Sequence, residues 1–183
     1  MDKERIKKAI SEIIKAIGEN PNKAELRKTP ERFADLITDI LSGNGKDAKD
    51  ILKVTHELKH DEMVLVKNVP FYSICEHHLM PFFGKCHVAY IPKNNRIVGV
   101  SKLVKLIDAL SRKLQLQERL TTEIANSIMK HLEPKGVGVV IEARHLCIEM
   151  RGLKLPAEIV TSAVRGLFRE DIKTREEFLR LIK

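Results

Sequence analysis

The chain has 183 residues, of which 43% are hydrophobic and 32% charged, and its formal net charge is +8. With only 9 Gly and 7 Pro, the composition excludes collagen-like, low-complexity and disordered proteins and suits one globular domain. The positive charge favours a polyanionic partner, but aromatic residues make up only 4%, which argues against a single-strand nucleic-acid binder. No apolar run approaches the roughly 20 residues of a membrane span, and the charged N-terminus does not resemble a signal peptide, so we expect a cytoplasmic protein.

The N-terminal part is predicted to be helical. Apolar residues recur at three- and four-residue steps from Ile6 to Ile17, as in an amphipathic helix. Thr29 as an N-cap followed by Pro30 in the first turn predicts a second helix, and the polar residues that come next indicate a connector. We therefore divide the chain into a helical extension with its connector, 1–60, and a main domain, 61–183.

The rest of the chain predicts an α+β fold. In chain order we expect strands at 63–66 and 87–91, helices at 103–114 and 120–132, strands at 137–148 and 159–168, and a closing helix at 174–182. This β-β-α-α-β-β order indicates two hairpins of one sheet, with a helix pair that covers one face of the sheet.

A thiol and two imidazoles lie close together in Cys75-Glu76-His77-His78, within an apparent loop between Pro70 and Pro81. Cys75 and His78 are three residues apart, which allows a tight turn to direct both side chains at one ion. Sulfur together with imidazole nitrogen suits zinc. Two ligands do not hold zinc, so the sequence predicts a metal site that needs a further ligand.

The further ligand is expected from His145 or Cys147, which lie two apart on a predicted strand and therefore on one face. If Cys147 completes a set of three, a position remains for water, and His77 and His145 are free to transfer protons. That layout is typical of a hydrolytic centre. Strand parity would also place Glu149 and Arg151 on this face.

Two predicted helix starts carry residues suited to a nucleotide. Ser101 and Lys102 open one helix, where backbone N–H groups and a cation favour phosphate oxygens. Gln117 and Glu118 open the next, and a carboxylate there can accept two N–H bonds from a guanine edge. The alternatives are an exposed lysine and an acid that complements the helix dipole.

These motifs resemble those of the GTP cyclohydrolase I family, in family order, over most of the chain from about Ile17 onward. The matching stretches are Lys28–Arg32, Phe71–His78, Gly99–Leu103, Leu116–Thr121, Glu142–Cys147 and Met150–Gly152. The combination of Cys-Glu-His-His, His-x-Cys and Met-Arg-Gly is highly specific. The resemblance implies a tunnelling fold, in which β-β-α-α-β-β units assemble into a toroidal homodecamer with sites at subunit boundaries.

The resemblance also implies an activity and a role for each site residue. The reaction is the hydrolysis and rearrangement of GTP to 7,8-dihydroneopterin triphosphate by zinc-activated water, with release of formate. The implied metal ligands are Cys75, His78 and Cys147, for Zn²⁺ or, as an alternative, Fe²⁺. The implied acid–base pair is His77 and His145. The implied contacts with guanine are Gln117 and Glu118. The implied contacts with ribose and triphosphate are Ser101, Lys102, Lys105, Arg151 and a neighbouring subunit's Arg32. The pathway that uses the product is left open.

The chain departs from the family pattern on the phosphate side. After Gly152 the family carries Ser-Lys-Thr-x-Thr-Ser, whereas Leu153–Ser162 keeps only the final Thr-Ser and introduces Glu158; Lys105 stands where the family has Arg. These departures motivate a second hypothesis, in which the fold and metal are kept but the substrate differs or the reaction stops after purine ring opening. A third hypothesis, a basic zinc-stabilised nucleic-acid-binding protein, is motivated by the net charge alone.

Overall fold

The computed structural model describes residues 1–53, 56–57, 59–152 and 154–183. The chain separates into two compact units, Met1–Ser42 and Gly43–Lys183. The division at residue 60 that the sequence suggests remains a prediction. Part of the predicted connector, Val54, Thr55 and Leu58, lies outside the described residues, as does Leu153 of the altered segment.

The first unit contains two amphipathic helices, as predicted. They are α1, Lys3–Ala16, and α2, Thr29–Ile40. Pro30 occupies the first turn of α2, but the predicted N-cap role of Thr29 is wrong, because Lys28 is the cap residue and makes no side-chain capping bond. The chain already turns before the helix, where the Thr29 N–H donates to the Leu26 carbonyl at 2.8 Å, so Thr29 is itself helical.

The second unit is built on an antiparallel sheet. Its elements are α3 Ala48–Ile51, β1 His56–Glu57, β2 Val64–Cys75, β3 Pro81–Ile91, β4 Arg96–Ile97, α4 Val100–Ser111, β5 Leu114–Gln115, α5 Gln117–Leu132, β6 Gly136–His145, α6 Leu146–Glu149, β7 Glu158–Gly166, α7 Leu167–Glu170 and α8 Ile172–Ile182. The sheet has the order β5-β2-β3-β6-β7, with β5 parallel to β2 and the other neighbours antiparallel. The α+β class and the β-β-α-α-β-β order are confirmed.

The two faces of the sheet are covered by different helices. Alternate β3 residues, such as Cys86 and Tyr90, belong to the main core, which they form with α4 and α5, as expected of a strand whose side chains alternate. Ala89 points the other way and packs with Phe168 and Phe178 of α7 and α8. The predicted helix pair therefore covers one face, and the C-terminal helices cover part of the other. No helix in the described part of the chain is long and apolar enough to cross a bilayer.

The strand β2 is longer than predicted. It runs through Pro70 to Cys75, so the expected loop from Pro70 to Pro81 is reduced to the turn 76–80. Proline is tolerated in strands that have an open side. Here β2 pairs with β3 on one side, whereas on the other side β5 pairs only with Ile74 and Cys75. Within the part of the chain that the structure describes, that second side is therefore open at Pro70.

The strand β6 is shorter than predicted, and this overturns the parity argument. It ends at His145 and is followed by α6. The reason is that β3 begins at Pro81 and its last ladder pair with β6 joins Phe82 to His145, so the chain beyond has no strand opposite it. Cys147 therefore lies on a helical turn, and Glu149 is held by the Arg144 guanidinium at 2.9 and 2.6 Å rather than by strand alternation.

Other predicted ends also differ. The strand expected at 87–91 begins at Pro81. Leu114 belongs to β5, because α4 stops at Ser111. Phe168 lies in α7, because β7 stops at Gly166, where a positive φ of 53° turns the chain. A Cβ at Gly166 would lie 2.3 Å from the Lys135 carbonyl oxygen, so this turn requires glycine.

Candidate active site

The turn between β2 and β3 presents the first cluster of chemically active side chains. The Cys75 N–H donates to the Met80 carbonyl at 2.9 Å, and the Leu79 N–H donates to the Cys75 carbonyl at 2.8 Å. Leu79 adopts the left-handed conformation with φ of 53°. These bonds close residues 76–80 into a tight turn, so Cys75 at the strand end and His78 in the turn are held together by the backbone.

The structure brings the three predicted ligands together. One ligand atom each from Cys75, His78 and Cys147 lies within 4.8 Å of the other two. In tetrahedral zinc sites, metal–ligand bonds of about 2.0–2.3 Å hold the ligand atoms roughly 3.5 Å apart, so the observed cluster needs only a small contraction to close on an ion. Two sulfurs and one imidazole nitrogen are also a donor set that zinc prefers.

The local environment of Cys147 favours the thiol in the absence of a cation. Burial and the neighbouring Cys75 thiol raise the pKa of Cys147 above its usual value, and the Arg151 guanidinium only partly opposes this. The thiolate is the form that binds metals. A divalent cation bound at the cluster, rather than the protein's own charges, would therefore convert Cys147 to its thiolate.

The turn is fastened to α5 by a side-chain network that the sequence does not reveal. Arg119 donates one hydrogen bond to the Glu76 carboxylate, a second to the Gln115 side chain at 2.9 Å and a third to the Leu114 carbonyl at 3.0 Å. The Glu76 N–H also donates to the Gln115 carbonyl at 3.1 Å. Because of the Arg119 bond, the pKa of Glu76 lies below its ordinary value. Glu76 therefore stays ionised and anchors the turn between the two ligands that flank it.

His145 is fixed in both position and plane. Its ring stacks on Phe82 with centroids 4.7 Å apart and planes 9° from parallel. Its Nε2 lies 2.7 Å from Oε1 of Gln117. Burial lowers the pKa of His145, an effect that the carboxylates of Glu118 and Glu149 partly offset, so the neutral imidazole is favoured.

Gln117 is buried, with 1% of its surface exposed. Its amide nitrogen donates to the carbonyls of Ile141 at 3.1 Å and Ile159 at 2.9 Å and contacts the Thr161 hydroxyl at 3.1 Å. Its amide oxygen faces His145. Both ends of the side chain are thus engaged within the protein, and the expected contact between Gln117 and guanine remains a prediction.

A cavity of about 240 Å³ joins these groups. It is lined by Cys75, His77, His78, Gln115, Leu116, Gln117, Glu118, His145, Cys147, Ile148 and Ile159. The predicted metal group, both predicted acid–base histidines and both predicted base-binding residues therefore share one cavity. Its volume lies below the usual range for sites that enclose a whole drug-sized ligand.

The residues expected to contact phosphate do not line this cavity. Ser101 lies in the first turn of α4, Lys102 and Lys105 follow on the same helix, and Arg151 is exposed just beyond α6. Arg32 lies on α2 in the first unit. Their assignment to ribose and triphosphate, with Arg32 supplied by another subunit, remains a prediction.

Comparison with known proteins identifies related sequences along the whole chain. A family model described as GTP cyclohydrolase I matches residues 6–183. A protein named GTP cyclohydrolase 1 from Caldanaerobacter subterraneus subsp. tengcongensis is 54% identical over 183 residues, covering 100% of this chain and 97% of that protein. Proteins of the same name from Thermoanaerobacter pseudethanolicus and Clostridioides difficile are 53% and 52% identical, each covering 100% of this chain and 97% of the relative.

Proposed function

Because the chain belongs to the GTP cyclohydrolase I family, we propose that it is an enzyme that converts GTP to 7,8-dihydroneopterin triphosphate and releases formate. The single observation that carries this proposal is the cavity in which the Cys75, His78 and Cys147 cluster faces His77, His145 and Glu118. A three-donor metal group beside imidazoles that are not part of it is suited to hydrolysis. The released carbon is C8 of the purine.

We assign the metal to Cys75, His78 and Cys147, with zinc as the ion that their donor atoms suit best. Such an ion, when bound, lowers the pKa of water towards neutrality and so makes hydroxide chemistry available. The protein supports the site by burying Cys75 and by fastening the intervening turn through Glu76 and Arg119. Three protein donors leave room for solvent in a four-coordinate site.

His77 and His145 are assigned to proton transfer. Opening the imidazole ring of the base and releasing formate requires a proton on each nitrogen that leaves C8, and a positioned imidazole is the usual group for that task near neutral pH. Both side chains line the cavity that holds the metal cluster. Rearrangement of the freed ribose and closure of the new ring then give the pterin product.

Substrate recognition is divided between the cavity and its surroundings. Glu118 lies in the first turn of α5 and lines the cavity, where its carboxylate can accept two N–H bonds from a guanine edge. We assign the ribose and triphosphate to Ser101 and Lys102 at the start of α4, with Lys105, Arg151 and a neighbouring subunit's Arg32, because cations and a helix N-terminus favour phosphate.

We also propose that subunits assemble into a homodecamer with sites at their boundaries, so that the cationic residues outside the cavity complete the site. A cytoplasmic location suits this account, because Cys75 and Cys147 are free thiols and a reducing compartment keeps such thiols available to a metal.

Incubation of the zinc-loaded protein with GTP tests the proposal. One formate per GTP and a fluorescent pterin after oxidation are expected, with the Cys147→Ser protein as the inactive control. Unchanged GTP would contradict the proposal. Accumulation of a ring-opened or formylated purine without pterin would favour the second hypothesis, in which the reaction stops early.

A further inference from the structure

The orientation of the Gln117 side-chain amide is determined by its partners. The carbonyl oxygens of Ile141 and Ile159 can only accept hydrogen bonds, and they lie 3.1 and 2.9 Å from one end of the amide. That end must therefore be the nitrogen. The oxygen is left facing Nε2 of His145 at 2.7 Å, and an amide oxygen can only accept. Nε2 of His145 must then carry a proton.

From this arrangement we propose that Gln117 is a positioning residue that holds His145 in the tautomer protonated at Nε2. Nδ1 is then the nitrogen with the lone pair, and it has no protein partner among the described residues. The consequence for catalysis rests on the proposed function: His145 would exchange protons with the substrate through Nδ1, while Nε2 stays bonded to the protein. Which nitrogen is protonated is set by the bond that the other one makes.

The Gln117 amide, whose oxygen accepts from His145, is itself held in place by hydrogen bonds. The Gln117 nitrogen bonds to carbonyls of two neighbouring strands, β6 and β7, and to the Thr161 hydroxyl. Rotating the amide by 180° would set its nitrogen against His145 and its oxygen against two carbonyl oxygens, with the loss of buried hydrogen bonds. A buried hydrogen-bond network of this kind specifies one orientation of the amide.

A 180° rotation of the His145 ring would not preserve its hydrogen bond to Gln117. Its ring lies flat on Phe82 with an interplanar angle of 9°, and Phe82 is buried in the main core and pairs with His145 in the β3–β6 ladder. A ring flip would keep the stacking but would place a carbon against the Gln117 oxygen. The plane is therefore set by Phe82 and the choice of nitrogen by Gln117.

The role differs from the contact with guanine that the sequence suggested for Gln117. A residue that binds the base should change the affinity for GTP, whereas a residue that acts through His145 should change turnover. Thr121 offers a matched control, because it is buried one turn further along α5 and its hydroxyl donates to the Gln117 main-chain carbonyl at 2.7 Å. The Thr121 hydroxyl also lies 2.7 Å from the Thr161 hydroxyl, which the Gln117 amide nitrogen contacts. The Thr121→Val change therefore removes two hydrogen bonds of the same network but leaves the acceptor of His145 in place.

The direct test is the tautomer of His145 in zinc-loaded protein labelled with ¹⁵N-histidine, at about pH 8, where a histidine side chain is neutral. The ring signals of His145 are identified by their loss in the His145→Asn protein. Protonation at Nε2 is expected in the wild type and in Thr121→Val, and a mixture of both tautomers in Gln117→Met. Protonation at Nδ1 in the wild type would overturn the proposal, even if Gln117→Met failed to fold. An unchanged tautomer in folded Gln117→Met would also overturn it.

Kinetics supply the second readout. Gln117→Met should lower kcat for GTP by roughly 10- to 100-fold, as expected for the loss of a residue that orients a reactive side chain, with little change in KM. Thr121→Val should alter neither by more than a few-fold. A raised KM with unchanged kcat would overturn the positioning role and favour base binding. If wild-type protein fails to act on GTP, the proposed function fails, while the tautomer measurement still decides the role of Gln117.

Discussion

Two histidines on the same sheet are buried in opposite ways. His145 at the end of β6 is hydrogen-bonded to Gln117 and stacked on Phe82. His87 in the middle of β3 is only 2% exposed, yet both of its ring nitrogens lack a hydrogen-bond partner among the described residues. Its Nε2 is 4.0 Å from the Glu142 carboxylate, which is too far for a hydrogen bond.

The protein fixes the orientation of His145 through its neighbours, whereas it buries His87 without satisfying its polar atoms. At the site end of the sheet, Nε2 of His145 is hydrogen-bonded to Gln117 and its ring is stacked on Phe82, so the protein controls both the tautomer and the plane of the imidazole. In the middle of the sheet, burial of the His87 imidazole without a hydrogen-bond partner costs free energy of folding and does not fix the orientation of the ring. Changes at the site end should therefore alter metal binding and turnover, whereas changes around His87 should alter stability.

The largest expected effect is at the metal cluster. Cys147→Ser removes one of two thiolates, so zinc affinity and GTP turnover should fall together by more than about 100-fold, since even residues that only support a ligand account for 10- to 100-fold. Metal content after gel filtration and formate release measure the two losses. Cys86→Ala is the matched control, because Cys86 is buried in the main core away from the cluster, and it should keep both properties. Full zinc retention by Cys147→Ser would refute the ligand assignment.

A change at His145 should separate the two properties. His145→Ala is expected to bind zinc normally but to lose turnover by about 10²- to 10⁴-fold, the usual contribution of a general acid or base. Zinc titration and single-turnover formation of the pterin provide the measurement. Loss of metal equal to that of Cys147→Ser would make His145 a ligand and would remove the distinction between the metal group and the acid–base pair.

Removing the fastening of the turn should have a smaller effect. Arg119→Met deprives Glu76 of its guanidinium partner, so the turn between Cys75 and His78 is less restrained, and zinc affinity should fall by about 10- to 100-fold. Competition with a chelator measures the affinity. Arg165→Met is the control, because Arg165 also bonds to α5, through Asn126, but outside the site. Equal affinities in both variants would show that the network only stabilises the fold.

The smallest effect is expected at His87 and appears only in stability. Burial lowers the pKa of His87 below its usual 6.5, the Glu142 carboxylate partly opposes this, and Lys85 and Lys67 add to the lowering. The unfolded chain therefore binds the proton more readily, so this group's contribution to stability is complete well above pH 6.5 and is lost as the pH falls below that value.

His87→Leu should abolish this loss and, at about pH 8, should stabilise the protein by up to about 1 kcal/mol, because it replaces an unsatisfied polar group with an apolar one. Urea unfolding of both proteins at about pH 8 and pH 5.5 measures the free energies. Formate release should be unchanged. A pH dependence that is the same in both proteins would show that His87 is protonated equally well in the folded state.

The sequence predicts the fold better than the support of the site. Hydrophobic periodicity predicts both helix pairs and the β-β-α-α-β-β order along the chain, since it reports directly on which faces are buried. The ligand set came from motif spacing and family resemblance, whereas the parity argument for Cys147 failed because β6 loses its partner strand after His145. Strand ends depend on where the neighbouring strand stops, which local sequence does not encode.

The supporting contacts were missed for a related reason. Glu76 and Arg119 are 43 residues apart, and Phe82 meets His145 across the β3–β6 ladder. Each residue taken alone has an ordinary interpretation, as an exposed charge or a core aromatic. Only the pairing of distant segments shows that Arg119 fastens the turn between Cys75 and His78 and that Phe82 sets the plane of the His145 imidazole.

X-ray absorption of the zinc-loaded protein tests the central claim most directly. Two sulfur neighbours at about 2.3 Å, one imidazole nitrogen at about 2.0 Å and one oxygen from solvent are expected around the zinc. A second imidazole or a carboxylate in place of the solvent oxygen, or fewer than two sulfurs, would contradict a cluster of Cys75, His78 and Cys147 that keeps one coordination position for the reaction.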